Sequence, residues 1–247
     1  MKNVLKRTIL IVRDAERSLA YEARDATRLV WDLPVRITHW LLVAGVAGCW
    51  ATHYAGVEWF QWHRRLGYAL LVLVTFRVVW GFVGTRHARF ANFLRGPRAV
   101  GEYLRGGQET TGHNPLGALG VVALLGLLAS QAATGLFAND EIINAGPFYG
   151  WISPALSNRL TSLHRANSDW LLALIALHVL AVGWYVIVRR RPLVRAMVTG
   201  RKDERAVPAA DAISSSRLPL ALVVVVLLAG ALALAVSAAP EATIALY

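Results

Sequence analysis

An apolar, helix-length segment that carries two imidazoles limits this chain more than any other feature. From Ser168 to Val188 the sequence is almost wholly apolar, with His178 in its middle and His164 just before it. The two histidines are fourteen residues apart. At about 100° per residue that spacing turns about 1400°, so both rings fall on nearly one helix face, about 21 Å apart along the axis. That distance is most of the ~30 Å hydrocarbon core, where a polar side chain is costly without a partner. Two metal centres stacked at two depths of the membrane would satisfy both rings.

The rest of the chain has the composition to surround such a helix. It has 247 residues, 56% of them hydrophobic, which predicts an all-α integral membrane protein. Five apolar spans are expected, at about 37–54, 62–83, 115–137, 162–188 and 218–238. The last has no charge and no histidine. A net charge of +11 in a soluble protein would suggest nucleic acid. Here the cations flank the apolar runs: eight Lys/Arg lie in 1–36, five in 85–112 and eight in 189–217, of twenty-six in all. The positive-inside rule makes those three segments cytoplasmic and excludes nucleic acid as the natural partner. The loops at 55–61 and 138–161 then face outward, as does the end of the chain after the fifth span. Asp203–Ser216 and Gly106-Gly107 read as flexible linkers. The lone cysteine, Cys49, excludes an intrachain disulfide, a CxxCH attachment and a cysteine-ligated iron–sulfur cluster, so a redox centre must rest on histidine.

This topology sorts the histidines by depth. His39 and His178 share the inner level, and His164 shares the outer level with His63 or His53. Paired imidazoles on one haem iron, repeated twice, would leave no open coordination position and would transfer electrons rather than bind a substrate at the metal. Zinc or copper also takes imidazole, but no cysteine or suitably spaced carboxylate accompanies these rings within the spans. His53 and His63 remain alternatives on spacing alone.

Several stretches together resemble the bacterial cytochrome b561 and nickel–iron hydrogenase b-type cytochrome family. They are Trp31-Asp-Leu-Pro-Val-Arg-Ile-Thr-His-Trp40, Trp62-His-Arg-Arg-Leu-Gly-Tyr68, Phe76-Arg-Val-Val-Trp-Gly-Phe-Val-Gly84, His87-Ala-Arg-Phe90, Gly112-His-Asn-Pro-Leu-Gly117, Thr134-Gly-Leu-Phe137 and Leu163-His164 through His178. Their order over about 30–205 is more specific than any one of them. The resemblance implies a four-helix transmembrane bundle binding two haem b groups. It assigns His39 and His178 to the inner haem and His63 and His164 to the outer, which favours His63 over His53. The N-terminal thirty residues and the fifth helix lie outside the shared pattern, although hydrogenase-type members also have an extra span.

Haem propionates need cations, and the candidates are Arg36 and Arg77 at the inner level and Arg65 and Arg165 at the outer, with Arg64 beside them. Gly45, Gly48, Gly67, Gly126 and Gly135 lie in spans, where they serve either macrocycle edges or close helix packing. Ser130, Gln131 and Thr134 offer polar groups between helices. His113 is a candidate for the lining of a quinone site, and His87 reads as a loop residue. The expected organisation is a cytoplasmic arm (1–36), a four-helix cytochrome b unit (37–188), a cytoplasmic linker (189–217), a further transmembrane helix (218–238) and a short periplasmic tail (239–247). The resemblance implies an electron-transfer subunit of the bacterial inner membrane, linking a periplasmic redox partner (a hydrogenase, a c-type cytochrome or another dehydrogenase) to the quinone pool. The alternative is a stand-alone superoxide:quinone oxidoreductase, to which the arginine-rich outer rim would attract the anion.

Overall fold

Residues 26–106 and 110–240 are described in the computed structural model of the chain. The arm up to residue 25, with its apolar run Ile9–Val12, and the tail 241–247 lie outside the described residues. Helix α1 covers Leu33–Tyr54 and α2 covers Phe60–Val83. Two short helices follow, α3 (Phe90–Phe93) and α4 (Pro97–Leu104). Then come α5 (Pro115–Gly135), α6 (Pro154–Ile187), α7 (Leu193–Thr199) and α8 (Leu218–Ser237). Five of these, α1, α2, α5, α6 and α8, are long and apolar enough to cross a membrane, so the chain is a multi-pass, all-α membrane protein. Among the described residues, strands are confined to one antiparallel pair, β1 (Thr27–Leu29) with β2 (Arg201–Asp203), in the register Thr27 to Asp203.

Three of the five long helices, α1, α5 and α6, start where the sequence supplies a cap. Asp32 accepts from the amide of Val35 at 2.8 Å, and Pro34 stands in the first turn of α1. Asn114 accepts from Gly117 at 2.6 Å ahead of Pro115. Ser153 accepts from Leu156 at 3.3 Å ahead of Pro154. That third cap starts α6 eight residues before the expected span. The added turns, from Pro154 to Thr161, carry Ser157, Asn158, Arg159 and Thr161, so hydropathy alone does not include them. At 34 residues α6 is about 51 Å long and must project beyond a ~30 Å core.

Packing centres on α2, which touches α1, α5 and α8, while α6 packs against α5. Gly45 and Gly48 let α1 approach α2. A Cβ at Gly45 would come within 2.7 Å of Leu70, and one at Gly48 within 2.9 Å of Leu66. These two glycines therefore serve helix packing.

The buried core lies at the end of the bundle that carries most of the cations. Val30, Trp31, Val35, Phe76, Trp80, Ala88, Ala196, Val207 and Ala221 form one apolar cluster, and Val224, Val225 and Leu228 of α8 pack against it. The segment Asp203–Ser216, expected to be a flexible linker, is bound into this cap. Val207 is fully buried, Arg28 donates to its carbonyl, and Ile213 donates to the carbonyl of Leu29 at 2.9 Å. Gly200 makes the tight passage from α7 into β2. Its φ is +79°, and a Cβ there would come within 2.6 Å of the Trp31 carbonyl oxygen.

Candidate functional site

The structure brings His63 and His164 together. His63 sits on the first turn of α2 and His164 one-third of the way along α6, and their ring centroids are 6.4 Å apart with planes inclined at 78°. Both rings are held through Nδ1. In His63 it donates to the carbonyl of Cys49 at 2.9 Å, across the α1–α2 contact. In His164 it donates to the carbonyl of Gln131 on α5 at 2.9 Å, with Thr134 Oγ1 at 3.2 Å. Such bonds set the tautomer and leave each Nε2 as the electron-pair donor. Gly135 provides the space, since a Cβ there would stand 3.0 Å from His164 Cε1. His53 is also near, its ring 6.2 Å from that of His63, but it is solvent-exposed near the end of α1.

A polar network that sequence reasoning credited only in part surrounds His164. The Gln131 side-chain amide reaches His164 Nε2 at 3.1 Å. Asn167, itself buried, donates to Gln131 Oε1 at 2.6 Å and to the Leu127 carbonyl at 3.0 Å. Asn167 follows His164 by three residues and so shares its helix face, a signal present in the spacing.

His39 and His178 occupy the other level, on α1 and α6. Nδ1 of His39 is shielded from solvent and has no hydrogen-bond partner among the described residues. The two rings are close enough to interact electrostatically. His178 is exposed along α6. Among the described residues no group of three His, Cys, Asp or Glu side chains is placed to hold a metal ion.

The candidate cations separate. Arg77 is buried, donates to the Ala88 carbonyl at 3.3 Å and lies 5.5 Å from the centroid of the Phe90 ring, with Asp32 the carboxylate acting on it. Arg36 donates to the Val198 carbonyl, and its Nε is buried without a partner among the described residues. Arg65 rests over Trp62 at 5.0 Å, Arg64 donates to Gln61 at 2.8 Å, and Arg165 lies exposed beside His164.

In the sequence, Asp32 enters only as part of the Trp31–Trp40 stretch. It is almost wholly buried, and besides capping α1 it accepts from Trp80 Nε1 at 3.3 Å and from Thr85 Oγ1. It thereby locks the start of α1, seven residues before His39, to the end of α2. The Asp-Leu-Pro sequence announces a cap, but not the two tertiary donors.

His87 does more than occupy a loop. It is buried, and its Nε2 donates to the Asp211 carbonyl at 2.7 Å. Burial pulls its pKa below the ordinary value, and that carbonyl opposes the shift. His113 lies between Trp31 and Phe93, with ring centroids at 4.7 and 4.5 Å. Burial first, then the charges of Arg77, Lys202 and His87, push it down to about 3.

On the opposite face, the loop joining α5 to α6 is folded on itself. Asp140 accepts from the amides of Ile142, Ile143 and Asn144 at 2.9, 3.0 and 2.8 Å. Partial burial raises its pKa, but these donors and the Asn144 side chain outweigh that and hold the carboxyl below its usual range. Glu141, Ile142, Ile143 and Trp151 are left facing outward.

The family model for prokaryotic cytochrome b561 matches residues 30–200. Two curated relatives, from Azotobacter chroococcum mcd 1 and Azotobacter vinelandii, are each named a probable Ni/Fe-hydrogenase B-type cytochrome subunit. Each is 27% identical over 216 residues, covering 71% of this chain and 90% of the relative. No solved structure matches the chain.

Proposed function

This chain belongs to the prokaryotic cytochrome b561 family, and from that premise we propose that it carries electrons across the bacterial inner membrane through two haem b groups, each held by two histidines. The family itself implies membrane electron transfer and haem b. The observation that carries the finer reading is the His63–His164 pair, with centroids 6.4 Å apart and each Nδ1 tied to a backbone carbonyl. A metal between two imidazoles at about 2 Å from each nitrogen fits that separation.

The residues fit the group. When bound, the group would supply reversible one-electron transfer at its iron. His63 and His164 would hold the outer haem. Ligation through His164 Nε2 requires the Gln131 amide to release it, and Asn167 gives that amide another acceptor-side anchor. His39 and His178 would hold the inner haem, and the solvent-shielded, unpartnered Nδ1 of His39 suits an imidazole that binds through a ring nitrogen. Among the described residues no side-chain atom lies within 4 Å of a Cβ placed at Gly67, one turn after His63, or at Gly126, which leaves those backbones open to a flat ring. Arg36 and Arg77 would pair with inner propionates and Arg65 and Arg165 with outer ones.

Residues 37–188 form the haem-binding unit in this reading, 189–217 the cytoplasmic linker, and 218–238 an added helix that braces α2. The cationic face, with the segment before α1, is cytoplasmic. The loop with Glu141, Ile142, Ile143 and Trp151 is periplasmic and docks a redox enzyme, for which the relatives' names point to a hydrogenase. Quinone takes the electrons at the inner level. The chain acts as a subunit of a larger oxidoreductase rather than as an enzyme alone.

Haem counting tests this reading. Purified wild-type protein should contain two haems per chain by pyridine haemochrome, with a reduced-minus-oxidised band near 560 nm. His164→Ala and His178→Ala should each keep one. A single haem in the wild type, or His164→Ala retaining both, would refute the ligand assignment.

A further inference from the structure

A cavity of about 1010 Å³ opens on the cationic face of the molecule, between the segment after α2 and the segment after β2. Five arginines line it: Arg28, Arg86, Arg89, Arg95 and Arg205. Its two carboxylates are already engaged. Glu204 pairs with Arg28 at 3.5 Å. Asp211 pairs with Arg86 at 2.7 Å and accepts from Thr111 at 2.8 Å. Arg89, Arg95 and Arg205 are left without a side-chain hydrogen bond or ion pair among the described residues. Nε of Arg89 and Nδ1 of His113 are both shielded from solvent and unpartnered there. The Phe93 and His113 rings, 4.5 Å apart and tilted at 45°, supply a largely apolar wall.

Three guanidinium groups lining one hollow repel one another, and a shielded N–H without an acceptor is unfavourable. Planar guanidinium forks match phosphate oxygens two at a time. The cavity is far larger than a bare ion requires and lies in the size range of sites for organic ligands. We propose that this cavity is a binding site for an organic phosphate ester, whose phosphate engages Arg89, Arg95 and Arg205 and whose body lies against Phe93 and His113. The ester is either an anionic lipid headgroup or a soluble phosphate compound. Its occupancy would tie Arg205, on the segment after β2, to Arg89 and Arg95, and so couple that segment to the loop after α2. This site is separate from the histidine pairs.

The full-length, haem-loaded protein is titrated with two probes: adenosine 5′-monophosphate in detergent solution, and phosphatidylglycerol in phosphatidylcholine nanodiscs, the latter read by native mass spectrometry. At least one probe should bind saturably. Binding of the lipid alone identifies a headgroup site, binding of the nucleotide alone a soluble ligand, and binding of both a site that reads the phosphate. Each lost arginine should weaken binding about tenfold, so Arg89→Gln with Arg95→Gln should weaken it about a hundredfold. Arg159→Gln, on the far face, should not change it. Ala91 is exposed and lines the cavity, so Ala91→Glu places a carboxylate there without touching the core and should also weaken binding by tenfold or more. Arg95→Gln and Ala91→Glu, both at exposed positions, decide the matter if the double variant misfolds. Failure of both probes to bind, or binding that Arg95→Gln and Ala91→Glu leave unchanged, would overturn the proposal.

Discussion

Replacing Asp32 by alanine removes three interactions at once. The first is the cap on α1, the 2.8 Å acceptor for Val35, whose loss costs about 1 kcal/mol. The others are the acceptors for Trp80 Nε1 at 3.3 Å and for Thr85 Oγ1. Trp80 is fully buried and cannot turn to water, so its N–H loses its partner outright at about 1–3 kcal/mol. The Thr85 hydroxyl can rotate toward another acceptor and loses less. Arg77 also loses the Asp32 carboxylate that acts on it. The expected sum is about 3–5 kcal/mol, a large share of the stability of a domain. Asp32→Asn keeps an oxygen for Val35 but presents an amide to Trp80 and Thr85, so it should lie between the two. Because α1 starts at this carboxylate and His39 is two turns further on, the inner histidine level should loosen before the outer one. Thermal melts of haem-loaded protein in detergent, followed at the haem band and by circular dichroism, measure both effects. A Thr85→Ala, Asp32→Ala pair should be clearly non-additive. A loss under about 1 kcal/mol in Asp32→Ala would mean that the buried carboxylate only caps α1 and that the cross-link to α2 is not structural.

Three further outcomes follow from the geometry. Gly135→Ala should push the His164 ring and reduce or shift the outer haem spectrum, at a cost of about 1–3 kcal/mol, whereas Gly120→Ala, with no atom within 4 Å of its new Cβ, should be silent. His113 titrates near 6.5 when unfolded but at about 3 when folded. The unfolded chain therefore holds the extra proton between those values, and stability, full above about pH 6.5, should fall by up to about 1.4 kcal/mol per unit toward pH 3. His113→Phe should flatten that acid limb in melts taken across the range; an unchanged limb would show that another group sets it. Arg77→Leu should lower inner-haem occupancy or move its midpoint potential in a redox titration, and unchanged content and potential would remove Arg77 from the haem site.

Hydropathy and helical spacing are local properties, so the five spans and the two imidazole levels could be read before any coordinates. The polar turn from Pro154 to Thr161 was missed because a hydropathy window ends where polarity begins, while its Ser-Pro cap lies outside that window. The fold of Asp203–Ser216 was missed for a different reason. Its Ala, Pro and Ser composition reads as a linker, yet its partners Arg28, Leu29 and His87 lie more than a hundred residues away in sequence. Separations of 48 and 53 residues likewise hid the tertiary donors on Asp32. Glycines looked alike in sequence and differ in space. Gly45 and Gly48 meet leucines of α2, Gly135 meets His164, and Gly67 and Gly126 meet nothing within 4 Å. The choice between His53 and His63 rested on family resemblance; here His63 lies next to both His53 and His164, with its Nδ1 already tied to Cys49.

The central claim is that electrons cross the membrane through this one chain. Haem-loaded protein in sealed liposomes, with ferricyanide trapped inside and a membrane-impermeant reductant outside, tests it directly. The wild type should bleach the trapped ferricyanide far faster than empty liposomes, and His39→Ala, His63→Ala, His164→Ala and His178→Ala should each stop that transfer. Haem-loaded wild-type vesicles that bleach no faster than empty ones would contradict the account.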